Sequence, residues 1–111
     1  MRTGLVLVVI LSVGCATDPN PCEFVSPCPN DRRYTPAQLS ACRASLDAIA
    51  SSACYAQKIA YSNCAGDYVV CRADGTTDPE LSQTRYLNGC MTQNSAFGAC
   101  CMANAGASAC R

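Results

Sequence analysis

Residues 54–64 read CYAQKIAYSNC, and residues 90–100 read CMTQNSAFGAC. Each stretch places nine residues between two cysteines, which sets them about 15 Å apart along a helix. If the two stretches form antiparallel helices, a single register brings both cysteines of one opposite both cysteines of the other. Cys42 and Cys110 fall within two residues of that register. The spacing therefore predicts a helical hairpin joined by the disulfides Cys64–Cys90, Cys54–Cys100 and Cys42–Cys110.

Sequence signals for helix starts support the two helices. Thr35 followed by Pro36, with Gln38 three residues after the threonine, is typical of a capping box. Apolar or small residues then recur at helical steps of three and four as far as Cys64, and Gly66 either ends this helix or only weakens it. Their positions are Leu39, Cys42, Leu46, Ile49, Ala53, Ala56, Ala60 and Cys64.

A second cap introduces the second helix. Asp78 followed by Pro79 predicts a helix from Pro79 to about Asn104. Because residues 17–36 hold five of the six prolines, that segment is predicted to be an extended or turn-rich arm. The fold class predicted is all-α: a disulfide-stapled antiparallel helical hairpin, residues 36–111, with an extended Pro-rich N-terminal arm.

Four cysteines have no partner in the hairpin register, namely Cys22, Cys28, Cys71 and Cys101. Cys100 and Cys101 point about 100° apart on a helix and are expected to bond to different partners. A bond from Cys101 to the arm is within reach. Cys71 reaches the arm only if the chain breaks at Gly66 and folds back. The connectivity of these four cysteines stays open.

The two C-x9-C pairs resemble the twin C-x9-C proteins, in which two disulfides join a helical hairpin. The resemblance covers residues 54–100. Members of that group are mainly mitochondrial and are imported without a cleaved apolar signal, whereas this chain begins with an apolar run and has a 25-residue gap between Cys64 and Cys90. We interpret the likeness as a shared way of joining two helices.

The start of the chain has the pattern of an export signal. Arg2 precedes an apolar run over residues 5–11, which fits the roughly 7–15 residues of a signal-peptide core and is shorter than the about 20 needed to span a bilayer. The sequence LSVGC, residues 11–15, resembles the signal of bacterial lipoproteins, in which a cysteine is diacylated and becomes the mature N-terminus. The resemblance implies a signal peptide over residues 1–14 and a lipid on Cys15, at the head of an arm over residues 15–35.

The alternative is plain secretion after a cut behind Ala16, with Gly14 and Ala16 as the small residues of the cleavage site. Either form removes Cys15 from the disulfide pool and leaves ten of the eleven cysteines. Ten cysteines in so short a region are typical of a disulfide scaffold, which persists in oxidising compartments. The expected location is the bacterial cell envelope, either at the outer membrane or facing the periplasm. If the protein is secreted, the expected location is outside the cell.

The composition excludes several function classes. The chain contains no histidine, so the commonest general base and neutral metal ligand is missing. It has no C-x-x-C motif, which argues against a zinc ribbon or a redox pair. The formal net charge is zero, and without a basic stripe no nucleic-acid partner is expected. We predict no enzyme activity, no cofactor and no metal site.

Two functions fit this pattern. The first is a lipid-anchored protein of the cell envelope with a structural or protein-interaction role. Its expected partners are the membrane, through the N-terminal lipid, and an unidentified envelope or extracellular protein. The second is a secreted carrier of a small apolar ligand, because the adjacent Cys100 and Cys101 resemble the Cys-Cys pair of plant lipid-transfer proteins. Those proteins also carry a C-x-C that this chain lacks.

Overall fold

The computed structural model describes residues 19–111, and the predicted all-α fold is confirmed for them. Cys15 and the segment predicted as a signal peptide lie outside the described residues. The described residues form α1 (Pro36–Ile49), α2 (Tyr55–Gly66), α3 (Pro79–Gly89) and α4 (Met91–Ala103), with short 3-10 turns at Pro21–Glu23 and Ser108–Cys110.

The centre of the molecule is an antiparallel hairpin of α2 and α4. Cys54 at the start of α2 bonds to Cys100 near the end of α4, and Cys64 near the end of α2 bonds to Cys90 at the start of α4. These are two of the three pairs that the spacing predicted. Ile59 is buried between the two disulfides along α2.

The fully buried part of this core is small. Among residues 19–111, most of the buried apolar residues are cysteines of disulfides, and the others are Ile59 and Ala109. An aromatic cluster adds to it, since the Tyr61 ring meets Tyr86 edge-on at 6.1 Å and stacks on Phe97 at 6.5 Å. Because so little apolar surface is buried, the disulfides contribute much of the stability of the folded state.

The first predicted helix is in fact two helices. The chain turns between Ile49 and Tyr55, and Cys54 adopts a left-handed backbone with φ of 73°. Ser52 explains the break: its hydroxyl donates to the carbonyl of Ala53 and accepts from the N–H of Ala109. A serine that bonds to nearby backbone competes with helical hydrogen bonds, and here a long-range contact adds to that preference.

The second predicted helix is kinked at Cys90, which has φ of −112° and ψ of 28°. Gly89 precedes the kink and lies against the Tyr68 ring. The contact is so close that a Cβ at position 89 would stand only 2.2 Å from Tyr68 Cζ. Hydrogen bonds continue across the kink, from the N–H of Cys90 to the carbonyl of Tyr86 and from the N–H of Asn94 to that of Cys90. The helix therefore changes direction where Tyr68 packs against it.

A tight reverse turn follows α2. Cys71 and Thr77 form an isolated antiparallel bridge, and Gly75 supplies the positive φ of 83° at the tip. The buried Ser82 hydroxyl accepts from the N–H of Val70, which attaches the turn to α3. The turn folds the chain back after Gly66, as the position of Cys71 required.

The remaining disulfides differ from the predicted third pair. Cys42 bonds to Cys22 of the arm and Cys110 bonds to Cys101, so the predicted Cys42–Cys110 pair is wrong. The break before α2 takes α1 out of the hairpin register, and the C-terminal turn brings Cys110 back to α4. The last disulfide, Cys28–Cys71, joins the arm to the reverse turn.

Candidate functional site

The arm and α1 enclose an open cleft of about 620 Å³. We call it the arm–α1 cleft. Its apolar and aromatic lining includes Phe24, Val25, Tyr34 and Leu39, and its charged lining is Glu23, Asp31, Arg32, Arg33 and Arg43. The cleft is the candidate site because it combines exposed apolar groups with a local excess of positive charge.

The 3-10 turn at Pro21–Glu23 positions one wall of the cleft. The Asn20 side chain caps this turn by accepting from the N–H of Cys22 at 2.9 Å. The Cys22–Cys42 disulfide then fixes the turn against α1, and Arg43 donates to Glu23 at 2.5 Å. Both side chains of this ion pair are about half exposed, so it contributes little stability and mainly orients Arg43.

Asp31 fixes the other wall to the reverse turn. Its carboxylate accepts from the hydroxyls of Ser26 and Thr77 and from the N–H of Thr77 at 2.8 Å. These hydrogen bonds, first that of Ser26 and then those of Thr77, lower the pKa of Asp31 below its ordinary value of 3.8. The N–H of Asn30 donates to the carbonyl of Gly75 beside them. The oxygens of this carboxylate are engaged within the fold, while its negative charge remains in the lining of the cleft.

The lining of the cleft carries a small excess of positive charge, with three arginines against Glu23 and Asp31. Among residues 19–111 the ion pair of Arg43 with Glu23 is the only one, and Arg32 and Arg33 are exposed without an ion-pair partner. Guanidinium groups suit carboxylates because two N–H donors can face two oxygens. The cleft can accept an anionic group at the pair of adjacent arginines.

Apolar and aromatic side chains beside the arginines are about half exposed. The exposed fractions are 49% for Phe24, 56% for Val25 and 59% for Tyr34. One edge of the Phe24 ring packs against Gly66, where a Cβ would approach the ring to 2.9 Å. This contact holds the ring against α2. Exposed aromatic side chains next to arginine are typical of protein interfaces.

The sequence prediction missed this site. Arg32, Arg33 and Tyr34 fall in the segment predicted to be an extended or turn-rich arm, because the surrounding prolines argue only against a helix. A clustering signal was present, since three of the eight basic residues and two aromatic residues fall between positions 23 and 43. The sequence pattern did not show that Cys22 connects the arm to α1 and that Cys28 connects it to the reverse turn.

Comparisons with known proteins add no assignment: no protein-family model, curated protein or solved structure matches the chain. No helix in residues 19–111 combines the length and apolar character required to cross a bilayer. The five disulfides indicate an oxidising, exported environment.

Proposed function

We propose that the protein is an exported, lipid-anchored protein of the cell envelope that binds a partner protein through the arm–α1 cleft. The observation that carries the proposal is the joint exposure of Phe24, Val25 and Tyr34 beside the unpaired Arg32 and Arg33. The partner is a segment with a carboxylate and an apolar side chain, because those groups complement the two kinds of surface in the cleft.

Disulfides make the cleft suitable for recognition. Cys22–Cys42 and Cys28–Cys71 fix the arm at two points, six residues apart in the arm, and hold both walls in place before a partner binds. A pre-ordered surface loses less conformational entropy on binding than a flexible arm does. The arm thus serves as part of the binding surface.

A lipid on Cys15 would hold the cleft near the membrane. The Asn63 side chain donates to the carbonyl of Pro19 at 2.8 Å, which attaches the start of the described chain to α2. Three residues lie between Cys15 and Pro19, and the four Cα–Cα steps span at most about 14 Å. Two acyl chains give stable attachment, where a single chain is marginal. The partner would therefore be a protein of the same membrane or one that reaches its surface.

The carrier function has less support. A carrier must enclose most of an apolar ligand, whereas the arm–α1 cleft is open and has three arginines in its lining. Titration of the protein with a fluorescent fatty acid separates the two functions. Saturable binding that survives the double variant Arg32→Glu/Arg33→Glu would favour a carrier over the proposed interaction.

The lipid anchor is tested by labelling cells with radioactive palmitate. Wild-type protein is expected to incorporate label and to sediment with membranes, and Cys15→Ser is expected to lose the label and to leave the membrane fraction or stay unprocessed. A mature N-terminus at Thr17 would instead place the cut behind Ala16 and show plain secretion.

Partner binding is tested by cross-linking in the native envelope. Wild-type protein is expected to give a discrete cross-linked species, which Arg32→Glu/Arg33→Glu loses. The matched control is Arg72→Glu/Arg85→Glu, which makes the same charge change outside the cleft and is expected to keep the species. Equal loss in both variants would show that general charge, and not the cleft, attracts the partner.

A further inference from the structure

Two disulfides lie side by side where the C-terminal turn folds back on α2. The Sγ atoms of Cys54, Cys101 and Cys110 all lie within 4.8 Å of one another. Cys101 and Cys110 are bonded to each other, and Cys54 is bonded to Cys100. Both sulfurs of the terminal disulfide are therefore close to the sulfur of Cys54. No other cluster of this kind occurs in the part of the chain that the structure describes.

The two disulfides differ in accessibility at one sulfur, that of Cys54, because Cys100 is half-buried like both cysteines of the terminal disulfide. Cys54 is buried, with 5% of its surface exposed, whereas Cys101 and Cys110 are half-buried. An external thiolate can approach the terminal disulfide more easily than it can approach Cys54. Attack there releases one thiolate that already stands within 4.8 Å of Cys54 Sγ. Access and proximity are among the factors that set the rate of thiol–disulfide exchange.

Asn104 is placed to assist the second exchange. Its Nδ2 lies 3.8 Å from Cys54 Sγ and 3.8 Å from Cys100 Sγ, and it also donates to the carbonyl of Cys100 at 2.9 Å. When the Cys54–Cys100 bond breaks, the departing thiolate of Cys100 has an N–H donor beside it. Hydrogen bonds to a charged acceptor are stronger than those to a neutral one.

We propose that these four cysteines form a thiol–disulfide exchange site for external thiols, either small-molecule thiols or the dithiol of a reductase. The external thiolate attacks one sulfur of Cys101–Cys110, forms a mixed disulfide there and releases the other cysteine as a thiolate. That thiolate attacks Cys54 Sγ, forms a new disulfide with Cys54 and releases Cys100 as a thiolate. The second step exchanges one disulfide for another and leaves the oxidation state of the protein unchanged.

The variant Cys101→Ser tests the exchange directly, because it leaves Cys110 as a free thiol beside Cys54. Alkylation followed by fragment mass spectrometry is expected to find on the order of a tenth or more of the label on Cys100. The exchange replaces the Cys54–Cys100 disulfide with a Cys54–Cys110 disulfide of the same kind, so both forms should be populated. The control Cys42→Ser leaves Cys22 free outside the sulfur cluster, and its label is expected to stay on Cys22. Label confined to Cys110 in a folded Cys101→Ser protein would overturn the proposal.

The wild-type protein provides a second test that needs no cysteine variant. Brief treatment with substoichiometric dithiothreitol, followed by alkylation, is expected to trap Cys54–Cys101 or Cys54–Cys110 as the first non-native disulfide. Asn104→Ala is expected to lower the yield of that species severalfold while the opening of Cys101–Cys110 is unchanged. Detection of opened Cys101–Cys110 with Cys54–Cys100 always intact would contradict the exchange.

Discussion

The α2–α4 hairpin and the unit formed by the arm and α1 are both held by two disulfides, yet they are built in different ways. The hairpin contains the buried Ile59, the aromatic cluster around Tyr61 and the fully buried Cys90. Helix α1 has no buried residue, and its contacts with the arm are a disulfide and an exposed ion pair. The hairpin packs as a core, whereas α1 is attached by its cross-link.

This difference indicates a division of roles. Burial of Ile59 and of the cysteines Cys54 and Cys90 stabilises the hairpin, which also exposes Met91 and Met102 of α4. The arm keeps Phe24, Val25 and Tyr34 exposed and depends on covalent bonds and on Asp31 for its position. A surface that is held by cross-links can remain apolar and exposed without having to be buried in a core.

The largest effect is expected from full reduction. Dithiothreitol that opens all five disulfides removes about 2–4 kcal/mol for each, about 10–20 kcal/mol together, which is comparable to the roughly 5–15 kcal/mol of stability in an ordinary domain. Both regions should unfold, and the helical circular dichroism signal should be lost. A signal unchanged by reduction would show that packing alone maintains the helices.

Removal of one disulfide from each region should have a different effect on stability in the two regions. Cys64→Ser/Cys90→Ser is expected to lower the free energy of unfolding of the whole domain by about 2–5 kcal/mol, measured by urea denaturation. Cys22→Ser/Cys42→Ser is expected to release the arm and α1 while α2 and α4 keep their protection from hydrogen exchange. Loss of protection throughout the molecule in the second variant would show that α1 is part of the core.

Glycine substitutions test the packing of the hairpin on a smaller scale. Gly89→Ala is expected to destabilise the domain by about 1–3 kcal/mol, because its Cβ would overlap the Tyr68 ring. Gly98→Ala on α4 is the matched control, since a Cβ there meets nothing within 4 Å, and it is expected to stabilise by about 0.5–1 kcal/mol. Thermal unfolding measures both, and a neutral Gly89→Ala would contradict the close contact with Tyr68.

The smallest effect is expected at the arm, from acid. The hydrogen bonds of Ser26 and Thr77 lower the pKa of Asp31 below 3.8, so their contribution to stability is fully present above the unfolded pKa of about 3.9 and is lost as pH falls through the lower folded value. The amide resonance of Thr77 should titrate below pH 3.8 in the wild type and not at all in Asp31→Asn. A midpoint at or above 3.8 would contradict the hydrogen bonds.

Local patterns predicted two of the helix starts and the two disulfides of the hairpin. The caps at Thr35 and Asp78 are formed as expected, with Thr35 accepting from the N–H of Gln38 and Asp78 from that of Leu81. The two C-x9-C spacings predicted the two disulfides of the hairpin. These features depend on residues a few positions apart or on one helical register, so the order of residues is enough to specify them.

Only the tertiary structure decided the rest. The break before Cys54 depends on Ser52 contacting Ala109, and the kink at Cys90 lies where Tyr68 packs on Gly89. The partners of Cys42 and Cys110 follow from those changes of direction. The arm–α1 cleft likewise required the cross-links of the arm to be known. Except for the Cys101–Cys110 bond, these features join residues that are far apart in the chain. A pairing between distant segments is set by how the whole chain packs, which no local pattern encodes.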